Sequence, residues 1–288
     1  MWGKRMNTKC VAWLPLRSKF KLASSFTSLS SLQPTLTAAI MASFAILTFH
    51  ALDDRPSVIS FPPRLFEQGM RRLYDSGYRT VNFSELVEHL RADKPFPGRS
   101  FLITFDDGYQ SAYERALPIL QRYGFSATVF LTVGNKGSGI GADRLPSMCD
   151  RTMLSWGEIR EMHRCGIEFG AHTLTHPDLT SISPARINVE VHDSKAIIED
   201  KLGTEVASFA YPYGRYDNRC REIVSRHFIC ACSDKLGLVR TNSDLYALER
   251  VDAYYLRSER LFGSTLTELF PWYIRARSIP RRIRRLLY

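Results

Sequence analysis

Two adjacent carboxylates, Asp106 and Asp107, end the apolar run Phe101-Leu-Ile-Thr104 in the segment Thr104-Phe-Asp-Asp-Gly-Tyr109. Successive residues at a strand end point in different directions, so one acid can hold a metal while its neighbour reaches a water. An ordinary Asp-Gly turn accounts for the same six residues equally well. His172-Thr-Leu-Thr-His176 spaces two imidazoles four residues apart, which on a helical turn puts both within reach of one divalent ion. Capping or surface histidines are the plainer account of that pair. Tyr211-Pro-Tyr-Gly214 describes a rigid turn with exposed backbone N–H groups and an aromatic wall, and a lone histidine, His50, follows the apolar run Phe44–Phe49. Taken singly, these last two need no more than a turn and a structural residue.

Taken together, the residues describe more. One carboxylate and two histidines form the three-ligand, open site of a catalytic zinc ion. Asp107 would be the ligand and Asp106 the base that takes a proton from water. An oxyanion would be stabilised by a backbone N–H near Tyr213, and His50, as imidazolium, would protonate a leaving amine. The chain contains no Gly-x-Ser-x-Gly elbow and no Gly-x-x-x-x-Gly-Lys-Ser/Thr phosphate loop.

The elements that must position these groups follow from periodicity. Strands are expected at Phe44–Phe49, Phe101–Phe105, Ser126–Leu131, Ile167–Gly170, Val206–Tyr211, Phe228–Ala231 and Leu248–Val251. Helical spacing covers Arg64–Asp75, Phe83–Leu90, Ala112–Tyr123, a segment from Ser155, Pro184–Leu202 and Asp217–Arg226. The last but one reads as scaffold, and the Gly-rich Gly134–Thr152 reads as a lid. Alternating strands and helices argue for an α/β fold with a mainly parallel sheet, whose chemistry sits at the carboxyl ends of the strands.

The net charge of +10 is unevenly distributed over the 288 residues. Residues 1–40 carry six cations and no acid, and residues 275–288 carry six arginines and no acid. Taking those twelve charges from +10 leaves −2 for the remainder, so the body offers no basic patch and nucleic acid is not the expected partner. We expect a disordered basic extension over 1–40, a folded domain over 41–270 and a basic tail over 271–288. The tail mixes arginine pairs with Ile and Leu, a pattern fit for peripheral contact with an anionic membrane or for solvation alone. Six scattered cysteines without a Cys-x-x-Cys pair, and a weak secretory signal, favour a cytoplasmic or membrane-associated protein.

The three motifs, in order, resemble those of the polysaccharide deacetylases (carbohydrate esterase family four). Thr104-Phe-Asp-Asp-Gly108 is similar to the motif whose first Asp is the base and whose second binds metal. His172-Thr-Leu-Thr-His176 is similar to the metal-binding histidine motif, and Tyr211-Pro-Tyr-Gly214 to the oxyanion-hole motif. The resemblance implies a distorted (β/α) barrel, a divalent metal that is usually zinc, and hydrolysis of N-acetyl groups on a glycan, here in bacterial exopolysaccharide metabolism. It would place the protein in the periplasm or at the surface, against the cysteine argument. Tyr109, Tyr211, Pro212 and Trp156 are then expected to contact substrate. Two positions depart from the usual pattern. Ala210 stands where the family carries a base-orienting arginine, and no late Leu-x-His motif supplies the acid. Leu47-Thr-Phe-His50 resembles the branch of biofilm poly-N-acetylglucosamine deacetylases with the acid histidine on the first strand, and Arg250 is the candidate for the missing arginine. Other readings are another amide or an O-acetyl ester as substrate, and an inactive glycan-binding protein.

Overall fold

The computed structural model describes residues 43–134 and 143–287, with side chains through Pro280. Expectations for residues 1–40 and for 135–142 of the lid segment lie outside the described residues. Seven parallel strands form the barrel: β1 (Ser43–Phe49), β2 (Ser100–Phe105), β3 (Thr128–Leu131), β4 (Glu168–Ala171), β5 (Ser208–Ala210), β6 (Cys230–Leu236) and β7 (Leu248–Asp252). Each pairs with the next, β7 pairs with β1 at Leu47↔Val251, and β1 pairs with β2 from Ala45↔Phe101 to Phe49↔Phe105. That last ladder closes the ring and leaves no open edge.

Strand parity sorts the side chains into two cores. Ile46, Leu102, Phe130, Ala210, Cys230, Cys232 and Leu248 turn inward and share one cluster with Phe83, Leu86, Val87 and Leu90 of the helix Phe83–Arg91. Leu47, Phe49, Ile103, Phe105, Val129, Leu131, Phe209 and Val251 turn outward into the larger cluster beneath the surrounding helices. The interior is tightly filled: a Cβ on Gly170 would come within 2.4 Å of the Phe130 ring. Continuing the same parity, Thr48, His50, Thr104, Asp106 and Arg250 belong to the inward set, whereas Asp107 does not.

Several boundaries differ from expectation. Ala112–Ala116 is a π-helical turn, and α-helix resumes at Leu117–Tyr123. Pro118 cannot donate to the carbonyl of Glu114, so the α ladder breaks there. Strand β6 runs five residues beyond the expected end at Ala231, through polar Ser233, Asp234 and Lys235, because β7 supplies ladder partners at Cys232 and Leu236. The basic C-terminal segment is a helix, Phe270–Leu287, that buries Phe270, Ile274 and Ser278 on the body. Folded structure therefore continues past residue 270. Among the described residues no helix is long and apolar enough to cross a membrane.

Candidate active site

The site lies where β1, β2, β4, β5 and β7 end. The backbone N–H of Asp106 donates to the carbonyl of Phe49 at 2.9 Å, extending the β1–β2 ladder one residue and fixing the first carboxylate over the barrel interior. Arg250, on β7, reaches it from across the barrel. Its Nη1 and Nη2 donate to Oδ1 and Oδ2 of Asp106, both at 2.7 Å, in a bidentate pair. The Arg250 Nε donates to the carbonyl of Ser233 at 3.0 Å, and Nη1 also approaches the hydroxyl of Thr104 at 3.4 Å, so the guanidinium is held from several sides. Both partners are buried. Burial works to raise the Asp106 pKa, but the Arg250 charge and hydrogen bonds outweigh it and hold the carboxyl below its ordinary value. His50 Nε2 stands 3.9 Å from Asp106 Oδ2.

The next two residues leave the strand by a turn. Asp107 (φ 74°) and Gly108 (φ 85°) both adopt the left-handed region, which sends the second carboxylate away from the barrel axis. A Cβ at Gly108 would lie 2.6 Å from Leu145. Asp107 Oδ1 then sits 3.5 Å from Nε2 of His172 and 3.5 Å from Nε2 of His176, and the two Nε2 atoms are 3.2 Å apart. Tetrahedral zinc, with bonds of about 2.0–2.2 Å, spaces its ligand atoms by roughly 3.3 Å. The three side chains fit a divalent cation of that size.

Neighbouring groups fix each ligand's orientation. Nδ1 of His172 lies 2.7 Å from the carbonyl of Ala210, which can only accept, so Nδ1 carries the proton and the neutral ring keeps its lone pair on Nε2. Burial works to lower the His172 pKa, but the Asp107 carboxylate overrides it and the value is raised. His176 goes the other way: burial first, then the adjacent His172, lower its pKa to about 4, so its ring is neutral near pH 7. The expected helical turn between the histidines is not what holds them. Residues 172–176 form an irregular loop in which Thr173 (φ 71°) and His176 (φ 54°) are left-handed, and the hydroxyl of Thr173 accepts the N–H of His176 at 3.0 Å.

That loop is anchored by a residue whose role the periodicity of its helix concealed. Glu190, fully buried on Pro184–Leu202, accepts the N–H of Thr175 at 2.8 Å and its hydroxyl at 2.7 Å, and also pairs with Arg186. The helix is therefore more than scaffold. Its signal was a glutamate within the helix's buried set, beside Ile187, Val191 and Ile198. Glu190→Ala should lower metal affinity by about 10–100-fold, as for other supports behind a metal ligand, while Glu190→Gln, which still accepts one bond, should lose less. Competition with a chromogenic chelator measures both; equal affinity in wild type and Glu190→Ala would remove Glu190 from the support of the loop.

Tyr213 caps the third motif. Its backbone is left-handed (φ 56°), its ring lies 4.7 Å from that of His176, and the turn's own bonds use the N–H groups of Gly214 and Arg215. Gly214 (φ 62°) is required there, since a Cβ would lie 2.1 Å from the Cβ of Asp234. A cavity of about 390 Å³ joins His50, both aspartates, both histidines and Tyr213, with Tyr109 and Tyr211 also in its wall. Tyr211 turns its hydroxyl away, donating to the carbonyl of Tyr246 at 3.1 Å. Pro212 is buried in the turn and does not line the cavity. Trp156 is a correction: it opens the helix Trp156–Arg164, where Ser155 forms a capping box with Glu158, and its ring is buried in the outer core away from the cavity. The apolar character that suggested a sugar platform serves packing instead. Of the lid segment, residues 143–152 are tied down by bonds such as Leu145 N–H to the carbonyl of Leu154 and Arg144 to the carbonyl of Met153, and Met148 and Cys149 line the cavity.

Barrel and site together bring a buried carboxylate paired with an arginine, three side chains that could hold a metal ion and a facing histidine to one cavity. Comparison with known proteins agrees. The polysaccharide deacetylase pattern matches residues 93–229. YxkH of Bacillus subtilis, named as a polysaccharide deacetylase, is 29% identical over 229 residues, spanning 79% of this chain and 77% of its own. The poly-β-1,6-N-acetyl-D-glucosamine N-deacetylase of Staphylococcus aureus strain MRSA252 is 28% identical over 158 residues, and the match spans about half the length of each protein (52% and 52%). Among solved structures, the Streptococcus pyogenes deacetylase PplD in complex with acetate superposes with a TM-score of 0.69 at 26% identity, over 78% of this chain and 98% of that one. The chain is thus similar to polysaccharide deacetylases over most of its described length and carries their pattern over residues 93–229; deacetylases of this kind are metal-dependent hydrolases.

Proposed function

We propose that this protein removes N-acetyl groups from an N-acetylhexosamine polysaccharide or oligosaccharide of bacterial exopolysaccharide metabolism, with zinc on Asp107, His172 and His176. The observation that carries the reading is the division of labour between adjacent acids: Asp106 is locked to Arg250, and Asp107 is turned onto two histidines. When bound there, the cation would act as a Lewis acid that makes water and the acetyl carbonyl more reactive.

The chain's own groups do the rest. Asp106, ionised because Arg250 stands beside it, accepts the proton of the attacking water. The oxygen of the acetyl carbonyl becomes negative as the tetrahedral carbon forms, and the backbone N–H of Tyr213, a residue of the cavity wall, is the group assigned to stabilise it. His50, near Asp106 at the rim of β1, donates a proton to the sugar nitrogen, which leaves as an amine. Arg250 supplies the contact that Ala210 lacks, which removes the ground for reading the protein as an inactive glycan binder. The polymer itself is supported by the name of the S. aureus relative, poly-β-1,6-N-acetyl-D-glucosamine N-deacetylase.

The test is acetate release from β-1,6-linked and β-1,4-linked N-acetylglucosamine oligomers beside an O-acetylated sugar. We expect amide hydrolysis that EDTA abolishes and Zn²⁺ restores. Turnover of the O-acetyl ester with none of either amide would replace the N-deacetylase reading, and turnover unaffected by EDTA would remove the metal from it.

A further inference from the structure

The helix Phe270–Leu287 has two apolar faces. Phe270, Ile274 and Ser278 recur every four residues and are buried against the body. On the opposite side, Trp272, Ala276 and Ile279 recur at four- and three-residue intervals, with Leu269 one turn earlier, and all are exposed. Leu269, in the turn that leads into the helix, and Trp272 and Ile279 on it are 71%, 62% and 52% exposed. Apolar side chains left in water on a single stripe mark a surface that something else covers.

Charge selects the occupant. From Leu269 to Tyr288 the sequence contains Arg275, Arg277, Arg281, Arg282, Arg284 and Arg285 and no acid. Arg275 and Arg277 are exposed on the helix that bears the stripe. A second copy placing the same helix against this one would bring arginines against arginines. Residues 1–40, with six cations and no acid, would be repelled in the same way. A nucleic acid would satisfy the arginines but leave Trp272 and Ile279 without apolar contact. An anionic bilayer satisfies both, because its headgroups are negative and its acyl boundary accepts Trp and Ile.

We propose that this helix docks the protein on an anionic lipid surface, with Leu269, Trp272 and Ile279 entering the headgroup–acyl boundary and arginines meeting lipid phosphates. The barrel would then work while held at a membrane by one helix that lies in the interface and does not cross it. None of these residues lines the catalytic cavity, so the inference does not depend on the glycan assigned above.

The experiment is co-sedimentation of the full chain with vesicles of phosphatidylcholine alone or mixed equally with phosphatidylglycerol. Wild type should favour the mixed vesicles by about tenfold or more, and less so as salt rises. Trp272→Ser/Ile279→Ser should weaken that binding by about tenfold, since two apolar anchors are lost, and Arg275→Glu/Arg277→Glu should weaken it by a similar factor while acetate release from a soluble oligomer stays at the wild-type rate. Equal binding to both vesicle types, or none, overturns the proposal. So does wild-type binding by Trp272→Ser/Ile279→Ser, or full release of the protein from mixed vesicles by a short DNA duplex. Trp272 and Ile279 are exposed, so an unchanged thermal transition is expected for Trp272→Ser/Ile279→Ser and separates loss of docking from loss of fold. Arg277 also stacks over the Tyr255 ring at 5.3 Å, so the arginine pair is read together with Arg275→Glu alone, which should weaken binding in the same direction.

Discussion

Asp106→Asn should lower kcat on an N-acetylated oligomer by about 10²–10⁴-fold, the range for a positioned general base, with kcat/KM falling in parallel. Asparagine keeps the volume of the residue and one acceptor oxygen but has no site that takes a proton near neutral pH. Metal content should stay at wild-type level, because Asp107, His172 and His176 are untouched. Stability should fall, since the buried Arg250 guanidinium loses its counter-charge, and breaking a buried pair from one side costs about 3–5 kcal/mol. Activity must therefore be measured well below the lowered Tm. A kcat within about threefold of wild type, with the metal site filled, would take Asp106 out of the proton transfer.

Arg250→Met should act on the same carboxylate through its pKa. In the intact protein, burial raises the Asp106 pKa and Arg250 more than offsets it, so the group is depressed overall. A depressed carboxylate contributes stability that is present above its unfolded value of about 3.9 and lost as pH falls through the folded value. Without Arg250 the burial effect loses its largest opponent and the pKa climbs. Two consequences have a definite sign. The acid limb of kcat/KM should move to higher pH, so activity at pH 6 suffers more than activity at pH 8. Stability should drop by about 3–5 kcal/mol at neutral pH, and by less in acid, where Asp106 is protonated. In Asp106→Asn/Arg250→Met both charges are gone, and stability should recover much of that loss while activity stays low. A pH profile in Arg250→Met that matches wild type would reduce Arg250 to a packing residue.

Most of the site was legible because its parts are local. Asp106 and Asp107 are neighbours at a strand end, His172 and His176 lie within one loop, and Tyr211–Gly214 is a single turn. Short spacings constrain geometry whatever the rest of the chain does. The reading failed where local spacing admits more than one backbone. Four-residue separation suggested a helical turn for the histidines, yet left-handed Thr173 and His176 with a bond to the Thr173 hydroxyl bring the rings together instead. Trp156 misled for the opposite reason: its type suits a sugar platform and a core equally, and only the position of the helix that it opens assigns it to the core. Glu190 stayed hidden because a helical pattern records which face is buried and not what that face meets.

The sequence by itself determined where β1 and β2 end, the polar residues that follow and the parity that turns Asp106 inward and Asp107 away, since alternation along a strand is a property of the backbone alone. The fate of the two carboxylates was left to the tertiary structure. Arg250 is 144 residues from Asp106 and meets it because β7 closes the barrel onto β1 beside β2. His50 faces Asp106 for the same reason. Closure of a ring is a long-range event that no local pattern encodes. It converts an Asp-Asp turn into a buried carboxylate with its own counter-charge beside three side chains that could hold a divalent ion.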